Sequence, residues 1–224
     1  MQLRRLKLKT QRHFQIFFKC YELFILNNKS VRYKVLEFIG EGTFGKVAKC
    51  VNMNTNENTA IKILKYVNDY DDEVEMLEKL RTLDPERYNL VRFMDSFIVD
   101  DMSCIAFECL DRSLWDLMVQ REAPLTLNEI RPITRQLLVA LNALKGIGLL
   151  HADLKVDNVM LVNHQDEPFR VKLIDFGVAL PASDHQKCPW ASPYLLPLTC
   201  GHWDVSRHVC FYARTSSMEN HRTT

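Results

Sequence analysis

Five polar residues stand close together in Leu149-Leu150-His151-Ala152-Asp153-Leu154-Lys155-Val156-Asp157-Asn158, and a sixth, Asp175, closes the mainly apolar run Val171-Lys172-Leu173-Ile174. An Asp, a Lys and an Asn at this spacing suit phosphoryl transfer. One carboxylate would orient a hydroxyl, one cation would meet the transferred phosphate, and one amide oxygen would bind a metal. Asp175 makes a second metal ligand, because Mg²⁺ takes few protein oxygens and several phosphate oxygens. Further upstream, Gly40-Glu41-Gly42-Thr43-Phe44-Gly45-Lys46-Val47 holds three of the chain's seven glycines. Glycine lets a backbone approach a ligand closely and adopt positive φ, as a phosphate cradle needs. A lone GxGxxG is weak evidence. Here it lies between two strand-like runs, which disfavours a strand-to-helix dinucleotide site and fits a β-hairpin lid.

The elements that must carry these groups follow from the pattern. Tyr33–Ile39, Val47–Val51 and Thr59–Leu64 read as strands, with the Asn-rich stretch 52–58 as a turn. Lys62 lies in the third of them. Taken alone it is a solvated strand lysine, but the glycine loop ahead of it weighs against that reading. The helix predicted over Asp69–Leu83 places Leu77, Leu80 and Leu83 with Val74 or Met76 at spacings of three and four, with acids at its start and Pro85 beyond its end. Glu73, one turn before Leu77, can turn inward towards Lys62; its bland reading is one more surface acid beside Glu75 and Glu78. Leu90–Phe93 and Ser103–Phe107 complete a small sheet of five strands with one helix. The strongest helical stripe is Ile130, Ile133, Leu137, Leu138, Leu141 and Leu144, ended by Gly146 and Gly148. Thr126 and Glu129 could form a capping box, but Asn128 as the cap keeps Pro132 among the first four residues, whose N–H groups lack partners anyway.

Composition bounds the rest. With 224 residues, 47% apolar and 25% charged, the chain is an ordinary globular one, long enough for one domain or two small lobes. Lys+Arg total 29 and Asp+Glu 28, so the net charge of +1 gives no overall drive towards nucleic acid or acidic lipid. Seven scattered cysteines and no CxxC argue against a disulfide framework and for a reducing compartment. The first thirty residues begin basic, but Lys19 and Glu22 break the apolar run that a signal peptide or membrane span needs. An amphipathic segment, packed on the domain or lying loose, is the expectation there.

The ordered set GxGxxGxV, AIK, HxDLKxxN and DFG resembles the eukaryotic protein kinases, and more narrowly the homeodomain-interacting protein kinases of the CMGC group. The likeness is carried by Tyr33–Lys65, Phe107-Glu108-Cys109-Leu110, Glu129–Leu161 and Phe169–Gly177, with Ala152 where most kinases have Arg. It implies an α+β, bilobal fold: a strand-rich N-lobe at 31–107, a hinge at 108–111 and a partial, mainly helical C-lobe at 112–181. It further implies ATP and Mg²⁺ as cofactors. Gly40, Gly42 and Gly45 would cover the phosphates, with Lys62 on the α- and β-phosphates and Glu73 pairing it. Ile39, Val47, Ala60 and Met160 would contact adenine, Phe107 would stand behind it, and Glu108 and Cys109 would offer it backbone hydrogen bonds. Asp153 and Lys155 would be catalytic, and Asn158 and Asp175 would hold the metal. Protein Ser/Thr hydroxyls, transcription regulators among the substrates, a nuclear or cytoplasmic location and a monomeric chain without direct nucleic-acid or membrane contact complete what it implies.

Departures accompany the match. Val156-Asp157 replaces the family's Pro-Glu, and Ala152 removes an Arg that would grip an activation-loop phosphate. After Leu180 the expected activation segment and large lower-lobe helices do not follow. A tail from 182 to 224 with Pro189, Pro193 and Pro197 reads instead as irregular. Its Cys188, Cys200, His202, His208 and Cys210 match no common zinc spacing. A helix at 128–145 without its usual apolar partner forfeits roughly 1.5–3 kcal/mol for each large side chain left in water, against a net stability of about 5–15 kcal/mol. The expectation is thus a truncated kinase, active or catalytically impaired, the latter binding nucleotide or competing for the partners of a full-length relative.

Overall fold

Alternating apolar and polar residues require a sheet with one covered face, and the computed structural model contains it. The structure describes residues 25–28, 31–42, 45–65, 68–99, 101–121 and 124–183. These divide into two compact units, 25–81 with 92–109, and 82–91 with 110–183.

In the first unit β1 (Ile25–Asn28), β2 (Val31–Glu41), β3 (Gly45–Asn52), β4 (Asn58–Leu64), β5 (Phe93–Val99) and β6 (Met102–Glu108) form an antiparallel sheet in the order β1-β2-β3-β4-β6-β5. Four of the five expected strands are in place, the one expected at Leu90–Phe93 is displaced to β5, and β1 adds a sixth. β1 comes from the end of the amphipathic segment, Leu26 pairs with Tyr33 across the register, and Leu26 is buried. The rest of that segment lies outside the described residues. Asn52 makes the β3–β4 turn by accepting the N–H groups of Asn54 (2.9 Å) and Thr55 (3.3 Å) at its side-chain oxygen. One sheet face carries Tyr33, Ala48, Cys50, Ile61, Ile63, Phe97, Cys104 and Ala106 as a core, with Tyr33 stacked on Phe97 at 5.6 Å. Cys50 and Cys104 are free cysteines within it. Burial pushes each thiol up to about 12, so both act as neutral packing groups.

The helix α1 (Asn68–Leu80) buries Glu73, Met76, Leu77 and Leu80, and Met76 rather than Val74 completes its stripe. It stops short of the predicted Leu83. Asp84 instead caps a separate turn, α2 (Pro85–Tyr88), by accepting the N–H groups of Glu86 (2.9 Å) and Arg87 (3.2 Å). Pro85, read as following a helix, opens one. The strand expected at Leu90–Phe93 is shifted to 93–99. Leu90 and Val91 belong to the second unit, where the Val91 N–H donates to Leu173 O at 3.0 Å.

The second unit also contains α3 (Leu114–Arg121), α4 (Leu127–Gly146), the pair β7 (Leu149–Leu150) and β10 (Leu180–Pro181), and the hairpin β8 (Val159–Asn163) with β9 (Glu167–Leu173). α3 was not foreseen. Its start is signalled by Ser113 and Asp116, where the Ser113 hydroxyl accepts the Asp116 N–H at 3.0 Å and donates to the Asp116 carboxylate at 2.6 Å. α4 is capped by Thr126 rather than Asn128. The Glu129 carboxylate accepts the Thr126 N–H at 2.7 Å and its hydroxyl at 3.0 Å, and Arg121 adds a third bond at 2.7 Å. These bonds offset the cost of Pro132 inside the helix. The buried face of α4 is Ile130, Ile133, Leu137, Ala140, Ala143 and Leu144, so two alanines fill places assigned to larger residues and Leu138 is 41% exposed.

Candidate functional site

The first unit places its candidate residues on the sheet face opposite the core. Directly paired residues share a face, and the register pairs Val47 with Lys62, Lys49 with Ala60, Ala60 with Phe107 and Lys62 with Ile105. Val47, Ala60, Lys62 and Phe107 therefore lie together, each only partly covered. Phe107 rests on Phe93, with ring centroids 6.1 Å apart. The Lys62 ammonium meets Glu73 Oε1 at 2.7 Å, and the Glu73 side chain is 2% exposed. Glu73 is an inward partner of Lys62, not a surface acid.

The glycine loop joins β2 to β3, and Ile39 stands exposed at a bulge just before it. None of Gly40, Gly42 and Gly45 has positive φ, so the loop does not use that freedom. A Cβ on Gly45 would lie 2.2 Å from Ile63 O, so the approach of β3 to β4 itself demands glycine there. A Cβ on Gly42 would meet nothing within 4 Å. Thr43 and Phe44 lie outside the described residues. Beyond β6, the Glu108 N–H donates to Arg92 O at 3.1 Å, so this N–H is already engaged and does not await a purine ring. Cys109 is half-buried, and burial raises its thiol despite the opposing pull of Lys49.

The second unit gathers His151, Asp153, Lys155, Asn158 and Asp175. His151 is 3% exposed; its Nδ1 accepts the Asp153 N–H at 3.3 Å and its Nε2 faces Ile174 O at 2.8 Å. This pairing sets the Nε2–H tautomer. Burial holds the imidazole below its usual pKa, against the pull of the bond to Ile174 O and the charges of Asp175 and Asp153. Phe176 packs edge-on against the ring at 4.9 Å. His151 thus ties the two segments that bear the acidic groups.

Asp153 accepts from Lys155 Nζ at 2.8 Å and from Asn158 Nδ2 at 2.9 Å. The hydrogen bond to Asp153 lifts the Lys155 pKa above its ordinary value. Asn158 also donates to Asp153 O at 2.8 Å. With its amide nitrogen so committed, its Oδ1 is the atom presented elsewhere, as a metal ligand requires. Asn158 O accepts the Ile174 N–H at 2.9 Å, which brings Asp175 alongside. Asp175 sits at φ +60°, a left-handed conformation that is uncommon outside glycine. A carboxylate and an amide oxygen are hard donors of the kind Mg²⁺ takes. Met160 follows on β8, paired with Lys172, and bridges to Ser113. The spacing of chemical residues did not single out Gln136 or Asn89, which contact β9. Their signal was a polar side chain inside the apolar stripe of α4 and an Asn closing a short helix.

The protein kinase domain profile matches residues 33–197 of this chain. Homeodomain-interacting protein kinase 2 of Mesocricetus auratus is 45% identical over 160 residues, covering 69% of this chain and 14% of that protein. Homeodomain-interacting protein kinase 1 of Caenorhabditis elegans is 47% identical over 153 residues, 66% of this chain and 18% of that protein. Homeodomain-interacting protein kinase 4 of Homo sapiens is 43% identical over 152 residues, 66% of this chain and 25% of that protein. The chain thus spans between about a seventh and a quarter of the length of these curated relatives.

Proposed function

This chain belongs to the protein kinase domain family, and from that premise we propose that it transfers the γ-phosphate of ATP to Ser or Thr hydroxyls of proteins in a Mg²⁺-dependent reaction. The observation that carries the reading is the shared Asp153 carboxylate, bonded to both Lys155 and Asn158 one backbone hydrogen bond away from Asp175. Asp153 would orient the acceptor hydroxyl and take up its proton. Lys155 would release Asp153 to meet negative charge on the transferred group. Asn158 Oδ1 and the Asp175 carboxylate would hold Mg²⁺, which neutralises phosphate charge when bound. In the first unit Lys62, oriented by Glu73, would bind the α- and β-phosphates under the loop of Gly40, Gly42 and Gly45. Ile39, Val47, Ala60, Phe107, Glu108, Cys109 and Met160 would contact the base. The relatives are named homeodomain-interacting protein kinases, which supports protein substrates; transcription regulators among those substrates and a nuclear site of action are proposed with them.

Incubation with labelled ATP, Mg²⁺ and a generic basic protein tests the reading, with Asp153→Asn as control. Labelled Ser or Thr from the wild type and none from the variant is expected; equal labelling by both rejects it. A second reading is a chain that binds nucleotide without transferring phosphate, or competes for the partners of a longer relative. It is favoured by Leu127, Leu138 and Val139, exposed on α4. Nucleotide binding with no transfer selects it.

A further inference from the structure

Among the described residues β9 pairs with the strand β8 along one edge, and its other edge meets a single isolated bridge, from Leu173 to Leu90. Its other edge must still satisfy its peptide groups, and three consecutive outward residues find partners outside any sheet. The Gln136 side-chain amide acts as a short strand would: its Nε2 donates to Phe169 O at 2.8 Å and its Oε1 accepts the Val171 N–H at 3.0 Å. Nε2 also donates to Pro132 O at 2.9 Å, which holds the side chain against its own helix. Two residues on, the Leu173 N–H donates to Asn89 O at 2.9 Å, and Leu173 O accepts from Val91. Asn89 Nδ2 in turn donates to Gln136 O at 3.3 Å, so both holds share one node. Lys172, 1% exposed, ties the same strand to Glu86 of α2 at 2.6 Å. The strand so fixed runs directly into Ile174 and the left-handed Asp175.

We propose that Gln136 is a positioning residue: its amide sets the axial register of β9 and thereby the place at which Asp175 offers its carboxylate to Mg²⁺. The inference rests on the reading of Asp175 as a metal ligand. A helix–strand contact made by side-chain packing alone tolerates sliding, whereas two directional hydrogen bonds to residues 169 and 171 do not.

The test is the gain in affinity for a fluorescent ATP analogue that Mg²⁺ confers on the full chain. In Gln136→Met, of similar length but without either hydrogen bond, that gain falls about tenfold while affinity without metal stays unchanged. Gln136→Glu keeps the acceptor for Val171 but sets a carboxylate against the Phe169 and Pro132 oxygens. Its gain is lost at pH 8 and recovers towards pH 5, where the protonated carboxyl can donate. A lowered melting temperature with an unchanged Mg²⁺ gain overturns the proposal and leaves Gln136 a packing residue. If Gln136→Met does not fold, Gln136→Glu across the pH range decides, and a gain independent of pH overturns the proposal. A wild type whose affinity ignores Mg²⁺ rejects the functional reading before any variant is compared. Hydrogen exchange then decides the clamp: loss of protection spreading from Val171 to Leu173 and Ile174 in Gln136→Met supports it, and loss confined to Val171 overturns it.

Discussion

The Lys62–Glu73 pair separates stability from function more cleanly than any other feature. The Glu73 side chain is 2% exposed and that of Lys62 12%, with 2.7 Å between their charged atoms. Removing one partner of a buried pair costs about 3–5 kcal/mol, because the other charge stays out of water. Lys62→Met strands the deeper group, the carboxylate, and should cost more than Glu73→Leu, which leaves the better-solvated ammonium. Replacing both by apolar residues removes the desolvation penalty together with the attraction, and such exchanges are often neutral or stabilising by about 1–4 kcal/mol. The double variant Lys62→Met/Glu73→Leu should therefore be no less stable than wild type in urea denaturation. Its function should nonetheless be gone. ATP at about 100 times its dissociation constant stabilises a folded protein by about 2.7 kcal/mol, which at this size raises the melting temperature by about 5–10 °C. Wild type should show that rise with Mg²⁺-ATP, and the double variant almost none. A double variant destabilised by the sum of the two single losses, or one that keeps the full nucleotide shift, would refute the reasoning.

Glu129→Ala removes the carboxylate that closes the α4 cap and should cost about 1 kcal/mol. The bond from the Thr126 N–H, then that from Arg121, holds the Glu129 pKa below the carboxylate range. Its stabilisation is thus complete above the unfolded value and fades as pH falls through the lowered folded one, which urea midpoints of wild type and variant at pH 7 and pH 3 would reveal. His151 is held neutral by burial, with a folded pKa below the unfolded one. The unfolded chain binds the proton first, so stability falls as pH drops below about 6.5, and His151→Phe should lose that part of the slope in a denaturation series. Thr59 carries a buried hydroxyl with no hydrogen-bond partner among the described residues. Thr59→Val should raise stability by about 1 kcal/mol, and a lower melting temperature would show the hydroxyl to be satisfied.

Much of the first unit was legible because strands with one covered face write their alternation into the sequence. Ala48, Cys50, Ile61 and Ile63 face the core, and the residues between them carry the candidate site. The run Leu90–Phe93 misled because an apolar stretch does not say which body covers it; Phe93 joined the sheet while Leu90 and Val91 joined β9. The α4 cap misled because the helical cost of Pro132 was set against Thr126, whereas the helix starts there with three bonds to Glu129 and keeps the proline inside. Catalytic types such as Asp153, Lys155 and Asn158 announce themselves by spacing. Gln136 does not, since its role depends on a strand thirty-odd residues away that only the fold brings to it.

Lys62 of the first unit and Asp175 of the second are each proposed to bind Mg²⁺-ATP. Titrating Mg²⁺-ATP into wild type, Lys62→Met and Asp175→Asn by calorimetry tests this directly. One site per wild-type chain is predicted, weakened by either substitution, with the loss in Asp175→Asn vanishing when Mg²⁺ is omitted. Full-strength binding that survives both substitutions would contradict the account.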